Sequence, residues 1–117
     1  MKILMILNDP PYGTERVYNG LRLTTNLQLK HDGVDVALFL MGDAVSAAKS
    51  GQQTPNGFYN IERMLNNVVR KGTIVKVCGT CMDARGLADA DLIDGAARST
   101  MDELAEMTVT ADKVLVF

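Results

Sequence analysis

The chain has 117 residues, of which 47% are hydrophobic and 22% charged, and its net charge is −2. That length fits a single domain over residues 1–117, able to bury roughly two thirds of its unfolded surface without disulfide or metal staples. The 12 basic and 14 acidic residues form no basic run, so the charge pattern carries no footprint for direct nucleic-acid binding.

Residues 2–7 form a continuous apolar run, as expected of a strand buried on both faces. Asn8, Asp9, Pro10 and Pro11 end it at once. It is too short for a signal-peptide core and no small-residue cleavage site follows, so the expectation is a cytoplasmic protein. No apolar run is long enough to cross a bilayer. Residues 13–30 read as a helix, with Val17, Tyr18, Leu21 and Leu27 available for packing and Gly33 as its stop. Residues 34–41 are a second buried strand. Asp43 reads as the N-cap of a short helix reaching about Lys49.

Residues 50–57 are a loop cluster. Residues 58–70 follow as the most regular helix, with Ile61, Met64, Leu65, Val68 and Val69 on one face. Residues 73–77 make a third strand, and residues 92–96 a short fourth. A helix begins at Ser99, capped by Ser99 or Thr100, with Asp102 and Glu103 suited to the positive end of its dipole. Its expected stripe is Met101, Leu104, Ala105 and Val109. Met64 and Met101 are expected in the core. Residues 113–117 close the chain as a last strand.

About five strands with helical crossovers predict an α/β fold: a mainly parallel sheet with helices on both faces. In such sheets, sites form beyond the carboxyl ends of the strands. Those ends carry residues 8–13, then Gly42 and Asp43, then residues 78–86, so the three loops are expected to meet. Asn8, Tyr12 and Asp43 are therefore candidate supporting residues, with packing the alternative for Tyr12 and capping for Asp43.

The chemistry centres on Cys78 and Cys81, the chain's two cysteines. In a cytosolic chain such a pair points to redox, metal-binding or catalytic use before a structural disulfide. Cys78 directly follows a predicted strand. A helical turn opening after it would aim free N–H groups of Gly79 and Thr80 at the sulfur and favour thiolate over thiol. Arg85 adds a positive charge if the segment folds back. Three uses stay open: dithiol redox chemistry, half of a zinc site, or sulfur transfer with Cys78 carrying a persulfide and Cys81 as resolving thiol. Thioredoxin-like proteins have Trp before the first Cys and Pro inside the pair, where Val77, Gly79 and Thr80 stand here. Zinc needs about four ligands, and His31 is the one further obvious N/S donor. No metal or cofactor is expected. His31 itself reads as a favourable contact at a helix C-terminus.

These residues resemble the DsrE/DsrF-like family, closest to its YchN-like branch, over essentially the whole chain. The resemblance rests on residues 8–13, 39–45, 75–86 and 111–115, and its specific part is Cys78-x-x-Cys81-x-x-x-Arg85-Gly86. It implies a three-layer α/β/α fold around a five-stranded parallel sheet, and assembly into homotrimers or homohexamers. Sulfur-relay members carry a persulfide on a cysteine at the position of Cys78, which implies sulfur donor and acceptor proteins as partners. Relay members commonly lack a cysteine at the position of Cys81. The leading expectation is thus a sulfur carrier. A dithiol redox or sensor protein and a non-catalytic oligomeric binding module are the alternatives.

Overall fold

A computed structural model describes residues 1–117. Its strands are β1 (Lys2–Leu7), β2 (Asp35–Leu40), β3 (Ile74–Cys78), β4 (Ala96–Ser99) and β5 (Lys113–Val116). Its α-helices are α1 (Arg16–Lys30), α2 (Ile61–Arg70), α3 (Gly79–Ala84) and α4 (Met101–Thr110). Short 3₁₀ segments cover Gly42–Ala48 and Asp89–Asp91. No helix is long and apolar enough to cross a membrane.

The five strands form one sheet in the order β4-β3-β2-β1-β5, and every pairing is parallel. From β1 to β4 the chain steps in one direction. Right-handed crossovers then place α1, α2 and α3 on one face, and only the return through α4 lies on the other. Packing agrees: Gly20 of α1 sits against Leu7 and Met5, whereas Glu103 of α4 pairs with Lys76, in line with Phe39 and Ile6 on the opposite face. The fold is therefore the expected three-layer α/β/α, with unequal layers.

The core gathers Met5, Leu7, Leu38, Leu40, Val75 and Val77 from the central strands under Val17, Leu21, Ile61, Leu65 and Val68, with Leu4 and Phe39 buried on the opposite face. Burying each such side chain stabilises the fold by roughly 1.5–3 kcal/mol before entropy is set against it. The single-helix face is thinner. Ile74 and Val116 remain 57% and 60% exposed.

Several boundaries differ from the sequence reading for local reasons. α1 starts at Arg16, because Pro10, Pro11 and a left-handed Gly13 (φ 98°) hold the preceding chain out of the helix. α2 starts at Ile61, because the Asn60 side chain caps it, accepting from the Arg63 N–H at 3.0 Å. Phe58 stays outside and exposed. Asp43 is not an N-cap. Met41 holds that position without a side-chain bond, and Asp43 lies in the first turn of the 3₁₀ segment.

The fourth strand is Ala96–Ser99, not residues 92–96. Leu92 instead bridges antiparallel to Lys49, and Gly95 turns the chain at φ 91° before pairing with β3 begins. Thr100 caps α4, accepting from Glu103 N–H at 3.2 Å. The expected α4 stripe is overturned. Leu104 is buried, but Met101, Ala105 and Val109 face outward, so Met101 is not core. Met64 does pack against the core.

Candidate functional site at the end of the third strand

β3 places Val75 and Val77 in the core, and Gly79 then lets the chain turn directly into α3. Cys78 is the junction and acts as the N-cap of α3. Its Sγ accepts from the Cys81 N–H at 3.3 Å and lies 3.4 Å from the Thr80 hydroxyl oxygen. In the reduced protein, N–H and O–H donors so placed favour a thiolate over a thiol. The donors differ from those expected: they are the backbone of Cys81 and the side chain of Thr80. Cys78 and Cys81 are joined by a disulfide, with their Cα atoms 5.2 Å apart. Cys78 is 8% exposed, and Cys81 is the more open of the two.

The three loops meet as expected. The Gly42 N–H donates to Cys81 Sγ at 3.3 Å. Gly42 has φ 57°, and a Cβ there would sit 3.3 Å from the Asn8 carbonyl oxygen, so glycine lets the loops after β1 and β2 close on each other. Asn8 is tied further by its N–H to the Phe117 carbonyl at 2.9 Å. Arg85 grips Asp43 through Nε and Nη2 at 2.9 and 2.8 Å, and its Nη1 donates to the Cys81 carbonyl at 3.0 Å. All these Arg85 bonds go to oxygen. The ion pair braces the cysteine loop against the β2 exit.

Tyr12 turns elsewhere. Its hydroxyl donates to Gln52 Oε1 at 2.6 Å and accepts from the Ile61 N–H at 3.0 Å, while its ring stacks on Tyr59. It pins the loop before α2. His31 is the C-cap residue of α1 and lies at the amino end of the sheet, opposite the cysteines. A cavity of about 550 Å³, lined by Lys2, Leu4, Ala37, Ile74 and Met107 among others, also lies at that opposite end.

Sequence reasoning missed Arg98. From β4 it donates through Nη1 to the Gly79 carbonyl at 3.1 Å and to Asp83 at 3.0 Å, and through Nε to Asp89 at 2.5 Å. The two carboxylate bonds, Asp89 first and then Asp83, raise its pKa further. Below the same sheet end, Ser99 donates to Glu103, and Lys76 lies 3.5 Å from that carboxylate. The Ser99 bond, with Lys76 assisting, holds the Glu103 carboxyl below its ordinary value. The short, polar β4 carries no apolar run that would have marked Arg98 or Ser99.

The sequence profile of the DsrE/DsrF-like family matches residues 1–117. Protein YchN of Escherichia coli strain K12 is 45% identical over 116 residues, covering 99% of this chain and 98% of YchN. Protein MJ0989 of Methanocaldococcus jannaschii is 39% identical over 117 residues, the full length of both. The crystal structure of the E. coli YchN protein superposes with a TM-score of 0.94 at 44% identity, covering 100% of this chain and 99% of that one.

Proposed function

Since the chain belongs to the DsrE/DsrF-like family, we propose that it is a sulfur carrier of sulfurtransferase type, holding a persulfide on Cys78 and passing the sulfur to a partner protein. The observation that carries this reading is the Cys78 sulfur at the end of β3, met by the Cys81 N–H and the Thr80 hydroxyl. In the loading step the Cys78 thiolate attacks the terminal sulfur of a donor persulfide. One S–S bond forms, the donor's S–S bond breaks, and the donor leaves as a thiolate. In delivery, an acceptor thiolate takes that outer sulfur and Cys78 returns as thiolate. Without an acceptor, the Cys81 thiolate attacks Cys78 Sγ and expels hydrosulfide. The resulting disulfide then needs two electrons from a dithiol reductant.

Asn8, Asp43 and Arg85 act in this reading by holding the loops that carry the cysteines. We further read the protein as cytoplasmic and self-associating as a homotrimer or homohexamer. The exposed apolar residues on the thin face of the sheet and on the outside of α4 support self-association.

The test is to incubate reduced protein with a cysteine desulfurase and cysteine and to measure intact mass. Gain of one sulfur on Cys81→Ser, with none on Cys78→Ser, is expected; the wild type carries either that sulfur or the Cys78–Cys81 disulfide left once hydrosulfide is expelled. No loading of Cys81→Ser, or equal loading of Cys78→Ser, overturns the reading. The Cys78–Cys81 disulfide favours a second reading, a dithiol redox or sensor protein. A disulfide that titrates against a glutathione couple in a protein that takes no sulfur would establish it. Ordinary thiols with neither behaviour would leave a binding module.

A further inference from the structure

We propose that Arg98 is the positioning residue for Cys78: it holds the first turn of α3 so that the Cys81 amide and the Thr80 hydroxyl face the sulfur. The inference rests on reading Cys78 as the reactive thiol. Arg98 stands on β4, the neighbour of β3, in register with Val77, one residue before the cysteine. Its side chain therefore reaches across the turn where β3 becomes α3. One guanidinium fork joins the Gly79 carbonyl at the start of that helix, Asp83 near its end, and Asp89 in the segment beyond. A six-residue helix has few bonds of its own to set its direction. This fork supplies two more, anchored to the sheet, and a third to Asp89 just beyond the helix.

Gly79 shows how closely the parts fit. A Cβ on Gly79 would lie 3.0 Å from both Cγ and Nη1 of Arg98 and 3.1 Å from the Ser99 carbonyl oxygen. The latter is backbone and cannot swing aside, so a Cβ would push the turn off its place and press the arginine stem aside by a few tenths of an ångström. Glycine at 79 and arginine at 98 thus act as one device. Arg98 itself adds no free positive charge to the sulfur, because Asp83 and Asp89 both neutralise it. What it contributes is direction: once the disulfide is reduced, the first turn of α3 must keep its orientation for the Cys81 N–H, 3.3 Å from Sγ in this structure, to go on facing the sulfur. A plain counter-charge would survive exchange for lysine. A planar fork would not.

The test uses the Cys81→Ser protein, which keeps the backbone N–H at position 81 and leaves Cys78 as the one thiol. The rate of alkylation by iodoacetamide is followed against pH, and its midpoint reports the Cys78 pKa. The background is expected to titrate below an ordinary thiol. Arg98→Gln should move the midpoint up by about one pH unit, leaving about tenfold less thiolate below it. Gly79→Ala, which keeps Arg98 and both carboxylates, should move it in the same direction. Arg98→Lys should recover less than half of the shift. Circular dichroism and melting identify any variant that fails to fold, and the remaining variants then carry the comparison.

A low background midpoint that no folded variant moves overturns the role of Arg98 and leaves the reading of Cys78 standing. Full recovery by Arg98→Lys reduces the arginine to a counter-charge and overturns positioning. An ordinary thiol midpoint in the background overturns the activated-thiolate reading, and the inference with it.

Discussion

Gly42→Ala tests whether the three loops are held together as described. Gly42 has φ 57°, in the left-handed region, where an alanine costs about 1–2 kcal/mol. Its new Cβ would also lie 3.3 Å from the Asn8 carbonyl oxygen, a backbone atom that can move only with the loop after β1. For a domain of this size each kcal/mol shifts the melting temperature by about 3–6 °C, so a fall of roughly 5–10 °C is expected. The control is Gly33→Ala. Gly33 has no left-handed backbone, and no atom lies within 4 Å of its missing Cβ. There alanine restricts only the unfolded chain, and a gain of about 0.4–1 kcal/mol is expected. The assay is thermal melting of reduced protein at matched concentration, followed by circular dichroism. A Gly42→Ala protein that melts with the wild type, or a Gly33→Ala protein that loses as much, would refute the geometry.

Asn60→Ala removes the side-chain acceptor at the start of α2 and should cost about 1 kcal/mol in urea unfolding; no change would discard the capping role. Tyr12→Phe leaves the Ile61 N–H without its partner in a part-buried setting, with an expected loss of about 1–3 kcal/mol and sulfur loading of Cys78 unaltered. Glu103 has a folded pKa below its unfolded one, chiefly because Ser99 donates to it. Its contribution is therefore present above the unfolded pKa and is lost as pH falls through the folded value. Ser99→Ala should thus be less stable than the wild type at neutral pH, with the gap closing below the ordinary carboxylate range. A gap that stays constant across that acid range would contradict the assignment.

What was legible in the sequence follows from where burial leaves a pattern. β1, β2 and β3 lie inside the sheet and read as apolar runs, so their positions emerge from composition alone. The Cys78 junction was visible because such a run stops abruptly at a glycine. β4 lies at the sheet edge, with Ala97 and Arg98 exposed, and has no apolar signature to place it. Its misplacement is what hid Arg98 and Ser99, two residues whose partners are 9–19 and 4 positions away. The 3₁₀ segment after β2 misled for a related reason. An Asp after a strand reads as a cap, but Asp43 is drawn to Arg85, a partner 42 residues later that only the fold supplies.

The α4 stripe misled in a more useful way. Met101, Ala105 and Val109 recur at helical spacing, yet they point away from the sheet, while Leu104 alone is fully buried beneath. Within a single chain these outward residues contribute little, since Met101 is 61% and Val109 77% exposed. Replacing them with lysine should change the stability of an isolated chain by no more than about 0.5 kcal/mol each. In an assembly packed through α4 the same residues would each contribute roughly 1.5–3 kcal/mol per copy on burial. The double variant Met101→Lys, Val109→Lys should therefore leave the fold intact and reduce the mass seen by light scattering to the 12.7 kDa of one chain. A wild type already at that mass would refute self-association. An assembled variant of unchanged mass would place the contact elsewhere, and would leave the second apolar stripe of α4 without a reason to exist.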